Sequence, residues 1–296
     1  MPVVNKTQKA LYLVEPRGFC SGVKNALQII EEVLQTSKDC KVFVFNEIVH
    51  NKTIVEDLKN RGVNFVQATK KIPHDSLVVF SAHGVPPQTR TELHEKKINF
   101  IDATCPLVKK VHDEVNHYSK LGYHVIYIGD AKHDEAKGVI AENPRNISVV
   151  TSPADIKKIK KGFTKYIVLN QTTLNMFEVN DLVSLIKLKL PGIKLPKKAD
   201  LCFTTTSRQI AVSKVLPNCE LLLVVGSKNS SNSQMLKQIA LKVNKKAQLI
   251  DSCWDIKPIW LKDVTRIALT AGASAPEYLV EEAVEFLEQK GYKITT

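Results

Sequence analysis

The chain of 296 residues is long enough to bury a full core, and 44% hydrophobic with 24% charged residues is an ordinary globular composition. No long apolar run and no signal-type N-terminus is present, which predicts a cytoplasmic protein without a membrane span, its six cysteines reduced. The formal charge of +12 is concentrated in two lysine-rich stretches, 156–166 and 186–198, with few aromatics and no nucleic-acid-binding motif; this predicts a solvated face, or one that steers acidic proteins and anionic substrates, and no nucleic-acid partner.

In chain order, short β-branched runs alternate with amphipathic helical stretches, the pattern of α/β architecture. LYLVE (11–15) leads to Cys20, KVFVF (41–45) to the loop NEIVHNKT with His50, then VNFV (63–66), and LVVFSA (77–82) enters SAHGVPP with His83. INFIDA (98–103) leads to Cys105, HVIYIG (124–129) to GDAKHDEA, then ISVV (147–150), and YIVLN (166–170) enters NQTTLNM with Thr172. ADLCF (199–203) carries Cys202, ELLLVVG (220–226) enters GSKNSSNS, then AQLID (247–251), and RIALTAG (266–272) enters TAGASAPE with Ser274.

These twelve predicted strands form three sets of four whose turns correspond. Successive cysteines lie 85 and 97 residues apart, and the polar loops after the second strands lie 83 and 97 apart. Two features with matching offsets indicate a triplicated unit, giving three small α/β domains at 11–97, 98–198 and 199–290. Ligands of parallel α/β sheets bind beyond the strand carboxyl ends. Packing of the three units in a pseudo-threefold trefoil would therefore converge all these loops on one central cavity.

Cys40 and Cys219 stand at strand starts, where small packing residues are expected, and Cys253 has no counterpart in the other units. Cys20, Cys105 and Cys202 each stand just before or at a predicted helix start, where exposed N–H groups stabilise a thiolate. The chain lacks the paired C-x-x-C of zinc sites and the clustered cysteines of electron-transfer ferredoxins. One thiol per repeat suits a four-iron four-sulfur cluster held by three irons, the fourth left open as a Lewis acid.

The surrounding loops offer neutral donors, His50, His83, Ser230, Asn232 and Ser274, suited to an anion such as a phosphorylated substrate. Ser274 to Glu277 also reads as a capping box. Glu135 and His133 are the acid–base candidates, with Asp134 a solvated bystander, and Thr172 offers a hydroxyl to orient substrate or water.

EIVHNK, SAHGV, IDATCPLV, QTTL, GSKNSSNS and TAGASAPE together resemble the 4-hydroxy-3-methylbut-2-enyl diphosphate (HMBPP) reductase family, over nearly the whole chain. The resemblance implies a three-domain trefoil and ligation of one cluster by Cys20, Cys105 and Cys202. It implies diphosphate binding through His50, His83, Ser230, Ser231, Asn232 and Ser274, with His133 lining the site. Glu135 matches the proton-delivering acid and Thr172 the hydroxyl beside it. The allylic hydroxyl would bind the open iron and leave as water, with electrons from a ferredoxin or flavodoxin. A monomer is the simplest expectation. The chain departs from the family's G-H-P-E at Lys132-His133-Asp134-Glu135, and from Y-A-T-x-N-R-Q at FTTTSRQ (203–209). Two rival readings are an open-cluster dehydratase of the quinolinate synthase type, whose carboxylate substrates usually call for arginine forks, and an iron-sensing nucleic-acid regulator, which leaves the polar loops unexplained.

Overall fold

The structure is a computed structural model that describes residues 8–37 and 40–295. The first elements are β1 (Lys9–Leu13), α1 (Ser21–Thr36), β2 (Lys41–Phe45), α2 (Lys52–Asn60), β3 (Asn64–Val66), β4 (Ser76–Phe80), α3 (Pro87–Glu95) and β5 (Asn99–Asp102). Next come α4 (Pro106–Lys120), β6 (His124–Ile128), α5 (Asp134–Glu142), β7 (Ile147–Val150), β8 (Tyr166–Asn170) and α6 (Met176–Lys189). The last are α7 (Phe203–Val215), β9 (Leu221–Val225), α8 (Ser231–Lys242), β10 (Lys246–Ile250), α9 (Pro258–Leu261), β11 (Arg266–Ala271), α10 (Glu277–Gln289) and β12 (Tyr292–Thr295). The chain separates into two compact units, one of residues 21–49 and 54–202, the other holding the N-terminal stretch to Cys20, His50–Thr53 and everything from Phe203 onward.

The 21–202 unit carries two sheets, ordered β3-β2-β4-β5 and β7-β6-β8; the other unit carries β10-β9-β11-β1-β12. Among the described residues every strand pair is parallel. Parallel sheets bury both faces, and the central strands show why these sequences form them. In β9, Leu221, Leu223 and Val225 enter one core while Leu222 and Val224 enter the other. In β6, Val125 and Tyr127 face one cluster and Ile126 and Ile128 the opposite one. Each aliphatic chain so buried contributes roughly 2 kcal/mol, and a polar residue at any of these positions would have no solvated face to turn to.

The repeat is written in the strand order. Each sheet contains a triplet whose first strand lies centrally with the second and third on its two sides: β3-β2-β4, β7-β6-β8 and β10-β9-β11. The strand that leads into a cysteine lies beside the third strand of a triplet, β5 beside β4 of the triplet before it and β1 beside β11 of the last one. Sheet membership is thus shifted by one strand from the division at 97/98 and 198/199.

Two strand expectations are corrected. ADLCF (199–203) is not a strand: β8 instead meets the chain earlier, at a bridge between Ile167 and Lys194. The backbone N–H of Asn170 is taken by the Asp200 carboxylate at 3.0 Å, so side chain replaces ladder there. β12 was not expected, because three of its four side chains are exposed and it carries no apolar run. The described residues contain no helix long and apolar enough to cross a membrane.

Candidate active site

Each of the three cysteines singled out stands one residue before a helix: Cys20 before α1, Cys105 before α4, Cys202 before α7. All three are half-buried and none of the six cysteines forms a disulfide. Cys219 and Cys253 are buried, Cys219 ahead of β9 and Cys253 in a short 3₁₀ turn, both with burial raising the thiol pKa.

In the 21–202 unit the site residues are joined by short links. After β4 the chain turns through His83 and Gly84, where φ is +79° and a glycine is needed. The Cys105 N–H donates to Ala82 O at 3.0 Å, fixing the thiol's backbone against that turn. Cys105 is the N-cap of α4, and Pro106 at the first helical position costs no hydrogen bond. The His83 ring meets that of His133 edge to face, centroids 5.7 Å apart.

His133 is the N-cap of α5, its Nδ1 accepting from the Glu135 N–H at 3.2 Å. This fixes the tautomer: Nε2 carries the proton and is a donor. Glu135 is 1% exposed, and both carboxyl oxygens turn to Thr172, which donates its N–H at 2.7 Å and its hydroxyl at 2.9 Å. Burial pushes the Glu135 carboxyl up to about 7, against the lowering effect of the two Thr172 bonds. The Thr172 carbonyl then accepts from the Cys202 N–H at 2.9 Å. Acid, hydroxyl and thiol-bearing residue therefore form one bonded series. In the departing stretch 132–135 the Lys132 N–H bonds Asp130 Oδ1 and the Asp134 carboxylate pairs with Lys137.

In the other unit, the Cys20 N–H donates to Ala273 O at 3.1 Å, and the neighbouring Ser274 donates its hydroxyl to His50 O at 2.8 Å. Ser274 does not cap α10, whose N-cap is Pro276 without a side-chain bond; the expected capping box is replaced by this tie to the His50 loop. Ser230 caps α8 through the Ser233 N–H, and Ser231 opens that helix. Asn232 is 4% exposed, and neither atom of its amide has a hydrogen-bond partner. The amide thus has unused donor and acceptor capacity next to the N-terminus of α8. Gly226 and Gly272 let the Ser233 side chain approach the backbone beside it: a Cβ at either would run into Ser233 Oγ.

Among the described residues no group of His, Cys, Asp or Glu is arranged to hold a single metal ion. Three half-buried thiols at helix starts have the chemistry to ligate three irons of a four-iron cluster. Sequence reasoning missed several supporting residues: Gly226 and Gly272, Asp200, Lys110, and the buried Arg208, which donates to Gly18 O at 2.5 Å. The glycines stood in quoted motifs. Lys110 and Glu114 showed only an i,i+4 spacing, which ordinarily marks a surface pair.

A family profile described as "LytB protein" matches residues 11–288. The chain belongs to the LytB family. The 4-hydroxy-3-methylbut-2-enyl diphosphate reductase of Nocardia farcinica is 39% identical over 288 residues, covering 97% of this chain and 85% of that protein. A solved structure of the E-1-hydroxy-2-methyl-but-2-enyl-4-diphosphate reductase from Plasmodium falciparum superposes with a TM-score of 0.93 at 35% identity, covering 97% of this chain and 92% of that one. A second solved structure, described as (E)-4-hydroxy-3-methyl-but-2-enyl diphosphate reductase, the terminal enzyme of the non-mevalonate pathway, gives a TM-score of 0.66 at 31% identity, covering 95% of this chain and 99% of that one. Membership in the LytB family sets aside the quinolinate-synthase-type and nucleic-acid-regulator readings.

Proposed function

We propose that this chain reduces 4-hydroxy-3-methylbut-2-enyl diphosphate to isopentenyl and dimethylallyl diphosphates, taking up two electrons and two protons and releasing water. It would act at the last step of non-mevalonate isoprenoid synthesis. Cys20, Cys105 and Cys202 would hold one four-iron four-sulfur cluster through three of its irons. When bound, such a cluster supplies single electrons and one Lewis-acidic iron.

The protein's own residues divide the remaining work. The diphosphate charge calls for donors, and Asn232, Ser230, Ser231 and Ser274, with His50, His83 and His133, are those we assign to it. Expelling hydroxide from an allylic carbon is uphill unless the oxygen is protonated as it leaves. Glu135 supplies that proton, being buried and held near pH 7 in its titration. Thr172 carries it: once Glu135 is protonated, the carboxyl proton is donated to the Thr172 hydroxyl 2.9 Å away, and that hydroxyl turns its own proton outward. Around these groups Gln171 fixes the 130 loop by accepting from the Asp130 N–H at 3.1 Å.

The observation that carries this reading is the buried Glu135–Thr172 pair, bonded onward to the backbone of Cys202, in a chain whose relatives are named as this reductase. A one-electron donor is required. The charge of +12 favours a small acidic protein, a ferredoxin or flavodoxin. One chain supplies all three thiols, so a monomer suffices. The test is anaerobic reconstitution with iron and sulfide, followed by assay with HMBPP and a reduced one-electron donor. We expect both C5 diphosphates; a fully loaded protein that leaves HMBPP intact would refute the reading.

A further inference from the structure

We propose that Lys110 is a positioning residue for Cys202, an ammonium clamp that ties the segment bearing this thiol to the helix opened by Cys105. The inference rests on the cluster ligation proposed above. Lys110 lies on the second turn of α4. Its ammonium has three N–H donors, and all three are used within this unit. They reach Glu114 Oε2 at 2.9 Å, Lys198 O at 3.0 Å and Asp200 Oδ1 at 2.5 Å. The last two contacts grip the residues that immediately precede Cys202.

Asp200 completes the clamp. Its side chain is 0% exposed, and its second oxygen accepts from the Asn170 N–H at the end of β8, 3.0 Å away. This buried carboxylate is held by Lys110 on one oxygen and by the Asn170 N–H on the other. Breaking a buried pair by removing one partner leaves an uncompensated charge. Without Lys110, the segment 198–202, which has no strand ladder, would keep the Asn170 N–H to Asp200 and Cys202 N–H to Thr172 O bonds but lose both of its ties to α4. Cys105 is fixed differently, by its own N–H to Ala82 O and by its carbonyl accepting from the Lys109 N–H at 3.0 Å. Loss of the clamp therefore frees one thiol and spares the other. With Asp200 fully buried and Lys110 a quarter exposed, what the pair holds is the geometry of Cys202 with the Thr172–Glu135 pair behind it.

The test reads thiol reactivity in the apoprotein, residue by residue, by iodoacetamide labelling and peptide mass spectrometry. In Lys110→Met the Cys202 rate rises roughly tenfold through local opening, while Cys105 and Cys219 stay within about twofold of wild type. Lys110→Arg, which keeps the charge and a donor, restores most of the protection. Lys120→Met, an exposed lysine at the end of the same helix, leaves every rate unchanged. Asp200→Asn serves if Lys110→Met does not fold, and raises the Cys202 rate in the same direction. In the reconstituted protein, iron loss to a chelator accelerates in parallel. An unchanged Cys202 rate in either folded variant, or a rise shared equally by Cys105, would overturn the clamp. Absence of HMBPP turnover by wild type, with the Cys202-specific rise intact, would instead remove the proposed reaction and leave the clamp standing.

Discussion

Glu135 bonds both of its oxygens to a single residue, Thr172, in a setting from which water is excluded. Burial raises its pKa from 4.5 to about 7, so the folded chain binds this proton more tightly than the unfolded chain does. The sign follows: the stabilisation is fully present below the unfolded value and is lost as pH rises through the folded one. Across that range it is on the order of 3 kcal/mol, since a tenfold change in proton affinity is worth about 1.4 kcal/mol. Urea titrations of the apoprotein should show wild-type stability falling between about pH 5 and 8, with a flatter profile in Glu135→Gln. The same variant should bind substrate yet lose turnover by roughly 10²–10⁴, the usual worth of a positioned acid. Undiminished turnover would deny Glu135 its role. The sequence named Glu135 and Thr172 but could not say whether the altered loop still aimed the acid. That depended on the bonds of Asp130 and Gln171 across 41 residues, which no local pattern encodes.

Among elements, the helix starts and the β-branched strands were legible because both are local: a capping position, a proline, a run of alternating or continuous apolar residues. Partners were less so. β1 pairs with β11 and β12 from the far end of the chain, and nothing in LYLVE specifies that choice. Segment 199–202 has the apolar look of a strand, but Asp200 spends its side chain on the hydrogen bond a ladder would have made. Ser274 has the spacing of a cap and instead secures the His50 loop. Glycines matter at this scale too. Gly272→Ala would drive a Cβ into Ser233 Oγ and place it 3.6 Å from the Asn232 amide, displacing the α8 N-terminus. Displacements of that kind at a binding site can cost about 10²-fold. We expect kcat/KM for HMBPP to fall accordingly, mostly through KM, in a protein that remains folded by circular dichroism; an unchanged KM would place the diphosphate elsewhere.

For the whole molecule, the sequence offsets foretold a triplication, and the strand order carries it: each triplet has its first strand in the centre. The thiols belong to this repeat as well, each following a strand or segment that lies beside the third strand of a triplet. The +12 charge belongs to the same scale, as a property of long-range encounter rather than of fold. Above all, we propose that Cys20, Cys105 and Cys202 together hold one cluster. Iron and acid-labile sulfide, counted per chain after anaerobic reconstitution of each single Cys→Ala variant, test this most directly. Wild type, Cys40→Ala, Cys219→Ala and Cys253→Ala should each carry about four irons and four sulfides, whereas Cys20→Ala, Cys105→Ala and Cys202→Ala should each lose most of both. A full complement retained by any of those last three, or lost from Cys40→Ala, would contradict the assignment.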